Sequence, residues 1–130
     1  MKKLLFVAIA FMALFSACKK KDVEKTTAEK ILGRWTLVTE TDNDYYNNTN
    51  HTSTYAGTAN DVIDFRADGR VYEGPTFTSS SAYSIISDSK MVIDGISTDI
   101  NSLTDAQLIV HSKIQGTGTN FYESTATYKK

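Results

Sequence analysis

From Gly33 onward the chain is cut by turn-forming residues at short intervals, leaving no room for a helix of ordinary length. Asp68-Gly69, Gly74-Pro75, Ser87-Asp88-Ser89, Gly95, Thr104-Asp105-Ala106 and the run 115–120 separate stretches in which apolar and polar residues alternate. Alternation with a period of two is the mark of strands that turn one face to a core. The first stretch is Ile31-Leu32-Gly33-Arg34-Trp35-Thr36-Leu37-Val38-Thr39-Glu40. Gly33 permits a tight start, and the aromatic and β-branched residues after it suit a pleated, half-buried surface. Strict alternation places Trp35, Leu37 and Thr39 on one face and Thr36, Val38 and Glu40 on the other. Trp35, the only tryptophan, is expected to plug the core.

The later stretches read as strands at 60–66 and 70–73, joined about Asp68-Gly69, then at 82–86, 90–94, 96–103, 107–114 and 121–128. With the opening strand they make eight, joined by short turns. Such an order predicts an all-β fold, a small eight-stranded antiparallel up-and-down barrel whose closure removes the sheet edges. Its expected interior is Ile63, Phe65, Tyr83, Ile85, Met91, Ile93, Leu108 and Val110, with Phe77 also turned inward. Residues 41–59, rich in Asn, Thr, Asp and Tyr, read as a long polar loop over the open mouth. Tyr45, Tyr46 and Tyr55 in that loop combine wide rings with polar tips, as a binding surface or lid requires.

The N-terminal 30 residues have a different character. Met1-Lys2-Lys3 is basic, and 4–15 is an apolar run too short to span a bilayer. Small residues then precede a cysteine in Phe15-Ser16-Ala17-Cys18, which resembles a bacterial lipobox. The position three before the cysteine, usually Leu, is Phe15 here. The resemblance implies cleavage after Ala17 and lipid attachment to Cys18, with several acyl chains giving a lasting anchor. The chain thus divides into a signal peptide at 1–17, a lipidated cysteine and charged tether at 18–30, and a barrel domain at 31–130. The tether is too polar for a core, though its end at 26–32 can form one helical turn across the barrel. Its lysines can rest on anionic headgroups. Lys followed by acidic residues near the cysteine resembles the surface-export signals of Bacteroidetes lipoproteins, although Val23 interrupts the acidic pair.

Charge and chemistry narrow the function. Residues 31–130 hold seven Lys or Arg against twelve Asp or Glu, so the domain is acidic and unsuited to nucleic acid. A single Cys forms neither an internal disulfide nor a cysteine-rich metal site. His51 and His111 stand far apart without ligand-spaced partners. Asp42-Asn43-Asp44 lacks the glycine and the later acid of a calcium-binding loop. There is no nucleophile elbow, P-loop or metal-binding helix motif. An enzyme is therefore not expected, nor is a cofactor or a metal.

Taken together, Ile31-Leu32-Gly33-Arg34-Trp35-Thr36-Leu37, Ile63-Asp64-Phe65-Arg66-Ala67-Asp68-Gly69, Tyr83-Ser84-Ile85 and the run 102–110 resemble the bacterial lipocalin-like lipoproteins typical of Bacteroidetes. The resemblance covers nearly all of the chain after Cys18. It implies a calyx with Gly33 and Trp35 at its closed end and a small apolar ligand in or at its mouth. In that family the tryptophan often packs under an arginine near the last strand. Here no arginine follows Arg70, and Lys129 is a partial substitute. The expected protein is a monomer, anchored by lipid in the bacterial cell envelope at the outer membrane. The alternative is an envelope interaction protein with a filled barrel, contacting protein or glycan through 41–59.

Overall fold

A computed structural model describes residues 23–130. The expected signal peptide, Cys18 and the start of the tether lie outside the described residues. The strand that opens at Gly33 does not stop at Glu40. It runs on as β1 (Gly33–Tyr46), turns at Asn47-Asn48 and returns as β2 (Thr49–Ala56). Both asparagines have positive φ, 52° and 57°, as a two-residue hairpin turn of the mirror-image kind requires. The expected loop at 41–59 is thus largely a hairpin. Its composition is polar because β2 is exposed along its whole length. Pairing with β1, from Thr39 opposite Ala56 to Tyr46 opposite Thr49, defines the strand without a hydrophobic face.

The remaining strands are β3 (Val62–Phe65), β4 (Arg70–Glu73), β5 (Ser79–Ser87), β6 (Lys90–Ile93), β7 (Ile96–Leu103), β8 (Gln107–Gln115) and β9 (Phe121–Lys129). From β3 to β9 each pairs antiparallel with the next, and β9 pairs with β1. These contacts close an eight-stranded antiparallel barrel, lipocalin-like in form, with β2 as an additional strand. β2 and β3 lie on the same edge of β1, β2 beside its upper half and β3 beside its first residues. They act as one broken strand. At the break the Gly57 amide donates to the Val38 carbonyl at 3.0 Å, and the Leu37 amide donates to the Asp61 carbonyl at 2.8 Å.

A β-bulge between Leu37 and Thr39 changes the meaning of β1. Trp35 and Leu37 face the core, as alternation predicts. Past the bulge the faces exchange. Glu40 pairs with the buried Ala126 and accepts a hydrogen bond from the buried Ser124, so it points inward. Thr39 bonds the backbone of Tyr55 on the other face, and Val38 is exposed. The expected grouping of Trp35 with Thr39 and of Val38 with Glu40 is corrected by that one extra residue.

The first end of the barrel is packed solid. Trp35, Phe65, Val71, Met91, Ile100 and Leu108 form its core, with Ile31 laid across them. Ile31 ends the short helix α1 (Thr27–Ile31), the expected single turn. Thr26 and Glu29 form a capping box that satisfies its first amides. The Trp35 indole N–H donates to the Ile31 carbonyl at 2.7 Å, so the plug also holds the C-terminal end of that helix. Lys130, and not Lys129, lies over the Trp35 ring at 4.6 Å while donating to the Lys30 carbonyl at 3.1 Å. It occupies the position over the tryptophan that the resemblance would give to an arginine. Phe77 is not inward. It lies outside the barrel under the Arg34 guanidinium, 4.4 Å away, with φ at 51°.

Candidate functional site

At the other end the barrel does not fill. Two clefts open there, and Tyr128 of β9 lines both. One, about 310 Å³, lies between Leu37, Asn60, Asp61, Ile63 and Glu73. The other, about 260 Å³, runs beneath β1, β7, β8 and β9. Its aliphatic wall comes from Ile93, Ile96, Val110 and Ile114. Its polar wall comes from Glu40, Ser112, Tyr122 and Ser124. Alternation explains the split. On β8 and β9 the inward positions change from Leu108 and Tyr128 to Ser112 and Ser124 as the strands rise toward the mouth.

Hydroxyl groups hold the carboxylates of this end. Ser124 Oγ donates to Glu40 Oε1 at 2.9 Å, and Tyr122 Oη donates to Asp42 Oδ1 at 2.7 Å. Asp61 Oδ2 accepts from Tyr55 Oη at 2.8 Å and from the Thr58 amide and hydroxyl at 2.7 Å each. These bonds, those from Thr58 foremost, hold the Asp61 carboxyl below its usual range. Burial pushes the Tyr128 phenol up to about 12, helped by the negative fields of Glu40, Glu73 and Asp61. Burial also raises Tyr122 to about 12, with the Asp42 hydrogen bond and charge adding to it. Both phenols stay neutral at ordinary pH and keep their hydroxyl hydrogens.

The expected interior residues separate into two sets. Phe65, Met91 and Leu108 are completely enclosed in the packed end, together with Trp35 beside Gly33, and reach no cleft. Ile85 packs against the same core. Tyr83 sets its ring edge-on to Phe65 at 5.0 Å and donates its hydroxyl to the Arg66 carbonyl. Ile63 lines the first cleft, and Ile93 and Val110 line the second. The three tyrosines do not form one lid. Tyr45 stacks on Phe121 across β1 and β9, at 5.2 Å. Tyr46 stacks on His51 at 4.2 Å near the hairpin tip, and Tyr55 is tied to Asp61.

Sequence reading missed Glu40, Asp42, Tyr122, Ser124 and Tyr128. The inward orientation of Glu40 and Asp42 depends on the bulge at Val38, which alternation within β1 does not reveal. Tyr122, Ser124 and Tyr128 alternate on one face of β9, where polar residues hide which face is inward. Among the described residues no group of three His, Cys, Asp or Glu side chains could hold a metal ion. No described helix is long and apolar enough to cross a membrane. The fold and the mouth together define a small closed barrel with a packed base and a recess of mixed polarity. Compared with known protein families and with curated protein sequences, the chain matches none.

Proposed function

We propose that this protein is a lipocalin-like lipoprotein of the bacterial cell envelope, of the Bacteroidetes type, which binds a small ligand with an apolar body at the mouth of its barrel. The observation that carries the reading is the cleft of about 260 Å³ with one aliphatic wall and one wall of oriented polar groups. Recesses of roughly 300 Å³ suit small organic molecules, and a few placed polar groups fix their orientation. The packed base confines the ligand to the mouth. Signal-like 1–17 and the lone Cys18 support an anchor in the outer membrane, with the protein acting as a monomer and without a cofactor or covalent chemistry.

Native mass spectrometry of the protein purified gently from its own host tests the binding reading. The expected result is a small molecule that leaves on denaturation. A clean apo mass, with no uptake of small organic probes, would overturn it. Replacing Cys18 by Ser tests the anchor separately. The variant is expected in the soluble fraction, and membrane retention would refute lipidation.

A second reading is favoured by the β1–β2 hairpin. Its strand β2 is exposed throughout, carries no charged residue and pairs on one edge only. Such an arm suits contact with a protein or glycan of the envelope. Shortening the hairpin at its tip, 45–50, would abolish that contact while leaving Glu40 and occupation of the mouth by a small molecule intact.

A further inference from the structure

The mouth is short of positive charge. Glu40, Asp61 and Glu73 line the two clefts, and no Lys or Arg does. The ion pairs among the described residues use other carboxylates, those of Glu24, Asp64, Asp99 and Glu123. Glu40 and Asp42 take hydroxyl donors instead, and a hydroxyl leaves the full negative charge in place. Ser124, which holds Glu40, is only 8% exposed, so the charge is fixed at the barrel wall and not on a waving surface side chain. Tyr128 lines both clefts, and the charges of Glu40, Glu73 and Asp61 all act on it.

Facing this uncompensated charge is hydrocarbon, from Ile93, Ile96, Val110 and Ile114. An anionic amphiphile such as a fatty acid would meet like charge in a partly dehydrated recess, which discriminates strongly against it. A bare divalent ion needs six or more oxygens around one point, and among the described residues no group of three His, Cys, Asp or Glu side chains could anchor one. A molecule with an apolar body and one ammonium group satisfies both walls.

We infer that the mouth of the barrel selects an organic cation, a protonated amine on a small apolar body, with its ammonium against Glu40 and Tyr128 and its body against Ile93 and Val110. The inference rests on the ligand-binding reading above and names the class of ligand. It places the selectivity in charge, since the aliphatic wall alone would accept neutral and charged bodies of the same shape.

Three matched probes separate the two statements: 2-phenylethylamine, 2-phenylethanol and phenylacetate, titrated into the purified full chain and followed by calorimetry. The expected order is amine first and alcohol at least about tenfold weaker, the margin of a charge-assisted over a neutral hydrogen bond, with phenylacetate not binding. Added salt should weaken the amine and leave the alcohol unchanged. Glu40→Gln should bring the amine down to the affinity of the alcohol while leaving the alcohol itself unaffected. Retained alcohol binding shows that the variant is folded. Glu73→Gln, which lines only the other cleft, should leave amine and alcohol binding unchanged, and a loss there equal to that of Glu40→Gln would overturn the placement of the ammonium. Equal binding of amine and alcohol would overturn the cation inference and leave the binding reading standing. Binding of none of the three would overturn both. Displacement of the amine by calcium chloride at matched ionic strength would overturn it in favour of an inorganic cation.

Discussion

Two glycines are constrained for different reasons, and the difference is measurable. A Cβ added at Gly57 would lie 2.2 Å from the Leu37 carbonyl oxygen, inside the backbone of β1. A Cβ at Gly95 would meet nothing, but its φ is +82°, a region that side chains disfavour by about 1–2 kcal/mol. Gly57→Ala must push two paired strands apart and should cost about 3 kcal/mol or more, at the upper end of overpacking penalties. Gly95→Ala should cost about 1 kcal/mol. Urea unfolding of both variants checks the order; equal losses would mean that β2 and β1 separate freely at the break. Trp35 gives a third residue-scale expectation. Trp35→Phe removes the indole donor to the Ile31 carbonyl and leaves a small void, so it should lose roughly 1–3 kcal/mol. A smaller loss would show that neither the indole hydrogen bond nor the outer part of the ring is needed at the packed end.

The elements show which parts of the fold were legible. Turns and alternation disclosed all eight barrel strands, because Gly69, Gly95 and the polar stretch at 115–120 interrupt them sharply. They also disclosed the enclosed ends of the alternating faces, Phe65, Met91 and Leu108 among them. The hairpin arm was hidden because a strand exposed on all residues has no apolar period to read. The site was hidden because one bulged residue, Val38, exchanges the faces of everything beyond it in β1. Glu40 reads as a solvent acid from its own neighbours and becomes a cleft acid only through the register with β9. The hairpin itself supports a test. Asn47 and Asn48 hold left-handed conformations that glycine adopts without strain. Asn48→Gly should therefore stabilise the protein by up to about 1 kcal/mol, read as a rise in its thermal midpoint. A fall would place the energetics of the turn in the asparagine side chain instead.

At the scale of the whole molecule, the barrel is a packed base carrying a polar mouth, and Tyr128 lies where the two meet. Its ring is largely buried, and the charges of Glu40, Glu73 and Asp61 act on it. The consequence appears in alkali. Tyr128 titrates at about 12 in the folded protein, against about 10 when unfolded. The neutral phenol is therefore favoured by folding, and this contribution is complete below pH 10. Between about pH 10 and 12 the unfolded chain ionises first and the folded state loses up to roughly 2–3 kcal/mol. Tyr122 adds to the same trend, discounted because its ring is more open to water. Tyr128→Phe keeps the buried ring and removes the titrating group. Urea unfolding measured from pH 8 to 12 should show a steep loss for the natural chain and a shallower one for the variant. Near pH 8 the two should be close, since the variant gives up no ion pair. Parallel curves across the whole range would mean that the phenol is not enclosed, and that the base and the mouth are joined by open water at this point.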